Sequence, residues 1–270
     1  MLVDTHCHLD ASEFDADREQ VANAAWSAGV KRIVIPAVEV ANFSTVCDLA
    51  HGIQGGAYAL GIHPLFVARA RDEDLEFLRQ SVISAMDDPL FVAIGEIGLD
   101  FFVPEISSGQ ARERQEYFYD MQLALAAEFD LPVLVHVRRS QDIVLKYLRR
   151  RTGVRCGIAH AFNGSAQQAQ GFVERGFALG LGGAMTFERA LQIRRHAVDI
   201  GLEHLVLETD APDIPPAWLH APNRRNSPDQ LPRIADVLAE LRGVDVQEVV
   251  RATTSTAYRV IPRLAAAGQH

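Results

Sequence analysis

Short apolar runs alternate with longer amphipathic segments from one end of the chain to the other. The runs fall at 2–5, 32–36, 57–62, 91–95, 131–136, 154–160, 177–180 and 204–208. Between them, apolar positions recur at helical spacing near 15–28, 41–53, 72–87, 110–129, 140–151, 165–175, 187–200 and 228–242. Continuous apolar runs are what strands buried on both faces require, and helical crossovers between them imply parallel pairing. Eight such pairs predict an α/β fold, a single (β/α)8 TIM barrel, although an open doubly wound sheet shares the same local pattern. A further amphipathic segment, about 245–262, starts at Asp245, a suitable helix N-cap. It is expected to form an extra C-terminal helix packed outside the barrel.

The chain's 270 residues suit one barrel spanning 1–270 as a single domain, and no linker or internal repeat divides it. Hydrophobic residues make up 48% and charged residues 23%, enough apolar material for a large core. The opening MLVDTHCHLD has no basic flank followed by an apolar run, and no stretch approaches the ~20 apolar residues that span a bilayer. Cys7, Cys47 and Cys156 are odd in number and widely spaced, which argues against a disulfide framework. The chain therefore reads as cytoplasmic, with no membrane association and no obligate protein partner evident. A net charge of −9 argues against a protein that coats nucleic acid, but not against an enzyme that grips one phosphate through metal ions.

Where the polar residues fall favours the barrel. The first run leads into His6 and His8, the third into His63, the fourth into Glu96, the fifth into His136, the sixth into His160 and the eighth into Asp210. All strand C-termini of a barrel open onto one face, so these residues converge there. Side chains two apart on a strand point the same way, which lets His6 and His8 face the axis together. Imidazole and carboxylate are the donors that zinc, manganese or magnesium use. Six of them, His6, His8, Glu96, His136, His160 and Asp210, with one carboxylate able to bridge, point to two divalent metal ions roughly 3.5–4 Å apart. A lone strand-end histidine such as His63 or His160 is usually only hydrogen-bonded; the set together is what implies metal. His51, His196, His204, His220 and His270 read as surface or packing residues, and Cys7, facing away from its neighbours, as buried packing.

The segments DTHCHLD (4–10), GIHP (61–64), GEIGLD (95–100), LPVLVHVR (131–138), HAFNGS (160–165) and ETDAP (208–212) resemble, in order, those of the TatD family of metal-dependent deoxyribonucleases. PNRRNSP (222–228) is similar to that family's RNxP segment. The resemblance implies a barrel of the amidohydrolase-like superfamily and, for some members, DNase or 3′-exonuclease activity. It also implies that His6, His8, Glu96 and Asp210 serve one metal, and that Glu96 bridges to a second held by His136 and His160. Asp210 would orient the attacking water and accept its proton; its alternative is a structural cap beside Pro212. Many relatives in the superfamily bridge two metals with a carbamylated lysine. Here only Lys31 and Lys146 exist, before the second strand and inside a helix, so a carboxylate bridge is the available one.

Substrate contacts are less sharply marked. Arg138, two residues beyond His136, either holds a phosphate oxygen or pairs with a nearby acid such as Asp142. His63 is placed to donate to a phosphate. Asn163, Gly164 and Ser165 precede a helix, where backbone N–H groups favour anions, though Ser165 equally suits a helix N-cap. Asp100 either touches substrate or holds a ligand histidine. The chain departs from the family pattern at Ala161, Asn163, Ser227, Thr256 and Val260–Ile261, none of them a predicted ligand. DNA is therefore the expected substrate. The alternative is a small amide, lactone or phosphoester hydrolysed at the same binuclear site, which the acidic charge and the 7% aromatic content favour slightly.

Overall fold

A computed structural model describes residues 1–268; His270 lies outside them. Eight strands form one parallel sheet in chain order: β1 (Leu2–Asp4), β2 (Val30–Pro36), β3 (Gly56–Leu60), β4 (Phe91–Asp100), β5 (Val133–Arg138), β6 (Gly157–His160), β7 (Phe177–Leu181) and β8 (Leu205–Leu207). The sheet curls round until the Thr5 N–H donates to Leu207 O at 3.1 Å, so β1 meets β8 and the (β/α)8 TIM barrel is nearly closed. Helices α1 (Arg18–Ser27), α2 (Phe43–Gly52), α3 (Glu73–Ala85), α4 (Gly109–Glu128), α5 (Gln141–Arg150), α6 (Ala166–Val173), α7 (Leu191–Asp199) and α8 (Leu231–Arg242) alternate with the strands. None of the described helices is long and apolar enough to cross a membrane.

Two sets of buried residues hold the barrel. The larger lies between strands and helices and includes Phe118, Leu123, Phe172 and Phe177. The smaller fills the interior near the strand N-termini: Val3, Val34, Ala57, Ala59, Val92, Leu134, Ile158, Ala178 and Val206. Barrel interiors are usually filled by bulky branched side chains. Here several are alanine, and the space is taken from below by α9 (Val246–Val260) and the turn after it, through Ala257, Val260, Ile261 and Leu264. The extra C-terminal helix thus closes the floor of the barrel instead of packing outside it. The expectation failed because amphipathicity gives a buried face but not what covers it. Its start was legible: the Asp245 carboxylate accepts from the Gln247 N–H at 2.7 Å. Arg263 fastens its end, donating to the carbonyls of Phe91, Met86 and Asp88 at 2.6–2.9 Å.

Above the floor, the two-residue period of each strand carries the lining from apolar to polar. Leu134 is followed on the same face by His136, Ile158 by His160, and Val206 by Glu208. The site therefore opens at the C-terminal mouth.

Candidate metal centre

β4 runs five residues past the predicted end at Gly95. Ile97, Gly98, Leu99 and Asp100 pair with Val135, His136, Val137 and Arg138 of β5, so Gly95 and Gly98 do not terminate it. This extension brings Glu96 and Asp100 up the barrel wall beside His136. Conversely, β1 ends at Asp4, so His6 and His8 lie beyond the ladder and strand alternation is not what aligns them. Backbone bonds fix them instead: Cys7 N–H donates to Val34 O (3.1 Å) and His8 N–H to Ala211 O (2.8 Å). Cys7 is fully buried packing, as expected.

Glu96, 2% exposed, is the centre of the arrangement. Its Oε2 lies 3.1 Å from His6 Nε2 and 3.4 Å from His8 Nε2. Its Oε1 lies 2.9 Å from His136 Nδ1 and 3.4 Å from His63 Nε2. The Oδ1 of Asp210 sits 3.7 Å from both His6 and His8 and 3.3 Å from His160 Nε2. The rings of His6 and His160 stack at 3.6 Å. The six predicted ligands therefore line one mouth in overlapping groups: His6, His8 and Glu96; His6, His160 and Asp210; and Glu96 and His136, which His63 joins.

Neighbouring groups decide which nitrogen each histidine offers. His136 lies between two carboxylates, with Nε2 3.1 Å from Asp100 Oδ2 and Nδ1 2.9 Å from Glu96 Oε1; a cation on Nδ1 would leave the ring's proton on Nε2 for Asp100. His160 also lies between two carboxylates, with Nδ1 3.0 Å from Glu208 Oε1 and Nε2 3.3 Å from Asp210 Oδ1; burial opposes its charge, yet the two carry its pKa well above the usual imidazole value. His63 is different: its Nδ1 accepts from the Leu65 N–H at 3.2 Å, so the neutral ring carries its proton on Nε2 and presents a donor.

The charges follow. Burial opposes ionisation of Glu96, yet His63 and His6, with the bond from His136, hold its carboxyl well below the usual range. Burial is likewise overcome at Asp210, chiefly by His160, and it stays low. His8 resists the burial that would lower it; the bond and charge of Glu96, with Asp210, carry it up to about 9. Burial, reinforced by His136, pushes His63 down to about 4, consistent with a neutral donor. Crowded imidazoles that must share protons this way are a donor set suited to cations.

The substrate candidates separate. Asp100 is fully buried; its Oδ1 accepts from the N–H groups of Phe102 (2.8 Å) and Val103 (3.2 Å), and its Oδ2 faces His136. It therefore bridges the loop after β4 and His136, at the wall of the cleft. Asp142 is taken by Gln168 (2.9 Å), which removes it as the partner of Arg138. Arg138 is 52% exposed, 4.0 Å from Asp100 and over the Phe102 ring at 3.7 Å. Asn163 is exposed on the wall of the cleft. Ser165 is the N-cap of α6, accepting from the Gln168 N–H at 3.2 Å. Of the other histidines, His196 is buried and bonds Gly164 O at 2.6 Å, and His51 pairs with Asp88 at 2.9 Å on the surface.

Sequence reasoning missed several supporting residues. Glu208 is buried and also accepts from the Ala161 N–H at 2.6 Å. Asp4 accepts from the Thr209 N–H (2.9 Å) and hydroxyl (2.6 Å), setting the turn before Asp210. Gln122 of α4 bonds both the N–H and the carbonyl of Ile62, fixing the segment that carries His63. Asn226, inside the RNxP-like segment, donates to Thr209 O at 2.8 Å.

The sequence pattern described as TatD related DNase matches residues 3–262. The chain belongs to the TatD family. It is 40% identical over 258 residues to a metal-dependent hydrolase, YjjV, of Escherichia coli K12, covering 95% of this chain and 96% of that one. It is 31% identical over 261 residues to the 3′-5′ ssDNA/RNA exonuclease TatD of Erwinia amylovora, covering 95% and 98%. The crystal structure of E. coli YjjV superposes with a TM-score of 0.89 at 38% identity, covering 97% of this chain and 98% of that one. The departures from the usual TatD pattern leave the donors untouched: the Thr256 hydroxyl on α9 donates to Leu202 O, before β8, and Val260–Ile261 belong to the floor.

Proposed function

We propose that the chain is a two-metal phosphodiesterase that hydrolyses DNA. The observation that carries this reading is the division of Glu96, with one oxygen toward His6 and His8 and the other toward His136. His6, His8, Glu96 and Asp210 would hold one ion, and Glu96, His136 and His160 the other. The donors fit zinc, manganese or magnesium, and Asp100 and Glu208 already turn the ligating nitrogens of His136 and His160 inward. When bound, divalent ions supply Lewis acidity toward a phosphoryl oxygen and bring the pKa of water close to neutrality.

The chain's own groups do the rest. Asp210, ionised at neutral pH, orients the attacking water and takes its proton. The P–O bond opposite the incoming oxygen breaks, and the leaving oxygen takes a proton from solvent. His63, whose Nε2 lies 3.4 Å from Glu96 Oε1 at the edge of the centre, would donate to the phosphoryl oxygen as charge accumulates there. The Arg138 guanidinium, half exposed at the rim beside Asp100 and Phe102, would fork a neighbouring phosphate. The cleft measures about 1320 Å³, larger than the ~300–1,000 Å³ typical of small-molecule pockets, which supports an extended substrate over a lactone or amide.

Single-stranded DNA labelled at the 3′ or 5′ end, incubated with Mg2+, Mn2+ or Zn2+ and with EDTA, tests this. Stepwise metal-dependent shortening is expected, with Asp210→Asn slower by about 10²–10⁴-fold. DNA left intact in every metal would overturn the phosphodiester reading in favour of a small-molecule ester or amide.

A further inference from the structure

The loop after β4 places an aromatic ring at the lip of the cleft. Phe102 lines the cleft and is 43% exposed. It is not loosely attached. The Asp100 carboxylate takes the Phe102 N–H on Oδ1 (2.8 Å) and faces His136 on Oδ2 (3.1 Å). One buried group thus fixes the backbone that carries the ring and also faces His136. The guanidinium carbons of Arg138 and Arg139 lie 3.7 and 4.7 Å from the ring centroid. Leu65, on the loop after the neighbouring β3, also lines the cleft and is 44% exposed. The lip therefore pairs flat apolar surface with cationic forks.

That combination matches a nucleotide, which carries a planar base next to a phosphate. Bases stack on aromatic rings and on guanidinium planes, and only an unpaired base has a face to offer. From Phe102 and Arg138, we infer that this lip is a nucleobase platform, which seats the unpaired base next to the cleaved phosphate. The inference rests on the phosphodiesterase reading and specifies it.

The test compares kcat/KM for a short single-stranded oligodeoxynucleotide with versions abasic at one position at a time, in wild type, Phe102→Ala and Phe102→Tyr. In wild type, the abasic unit beside the cleaved bond is expected to cost about 5- to 150-fold, the range of a single base stack. Phe102→Ala should bring intact and abasic substrates together, and Phe102→Tyr should keep them apart. Because each comparison is internal to one variant, a general loss of folding does not imitate the result. Equal rates on intact and abasic DNA in wild type, or the same ratio in wild type and Phe102→Ala, would overturn the platform while leaving the phosphodiesterase standing. No cleavage of either substrate in any metal would overturn both.

Discussion

Glu208 illustrates how much of the centre depends on residues that would touch no metal. Its Oε1 lies 3.0 Å from His160 Nδ1, and the only room for its carboxylate is above Gly180, where any side chain would overlap it. A carboxylate behind a ligand histidine fixes its tautomer and raises its basicity. Glu208→Gln is therefore expected to weaken metal binding by about 10- to 100-fold in chelator competition, with secondary structure unchanged by circular dichroism. Affinity equal to wild type would show that Glu208 serves only the Ala161 N–H. His63, His136 and His160 look alike in the sequence, but different groups stand behind them: the Leu65 N–H behind His63, Asp100 behind His136 and Glu208 behind His160.

At the scale of elements, the sequence revealed the eight strand–helix pairs because a buried parallel strand must be continuously apolar and a crossover helix amphipathic. Strand ends were less legible. The apolar run ends at Gly95, yet β4 continues because its partner β5 supplies a ladder out to Arg138. Histidine at a strand end stands out against apolar neighbours, so His6, His8, His136 and His160 were visible. Glu208, Asp4 and Gln122 were not, since an acid beside another acid, or a glutamine on a helix, gives no sign of facing inward. The floor was also hidden: nothing in 245–262 says which surface it covers. Ile261 is fully buried there. Ile261→Ala should cost about 2–5 kcal/mol, read by denaturant unfolding, while the hydrolysis rate of the folded enzyme stays at the wild-type value. A matching loss of rate would mean that floor and mouth are coupled.

The whole molecule separates two tasks along the barrel axis, with stability packed at the strand N-termini and chemistry at the C-termini. Its charge is acidic overall, −9, so any hold on DNA must be local, from metal ions in the mouth and the arginines at its lip. The account stands or falls on the mouth being a two-metal centre. The most direct measurement is metal content after equilibrium dialysis against Zn2+ or Mn2+, for wild type and Glu96→Gln, with thermal melts as a check on folding. Two ions per wild-type chain, and a lower occupancy in folded Glu96→Gln, is the predicted result. A wild-type chain that takes up no ion, or a Glu96→Gln chain that binds both as tightly, would contradict it.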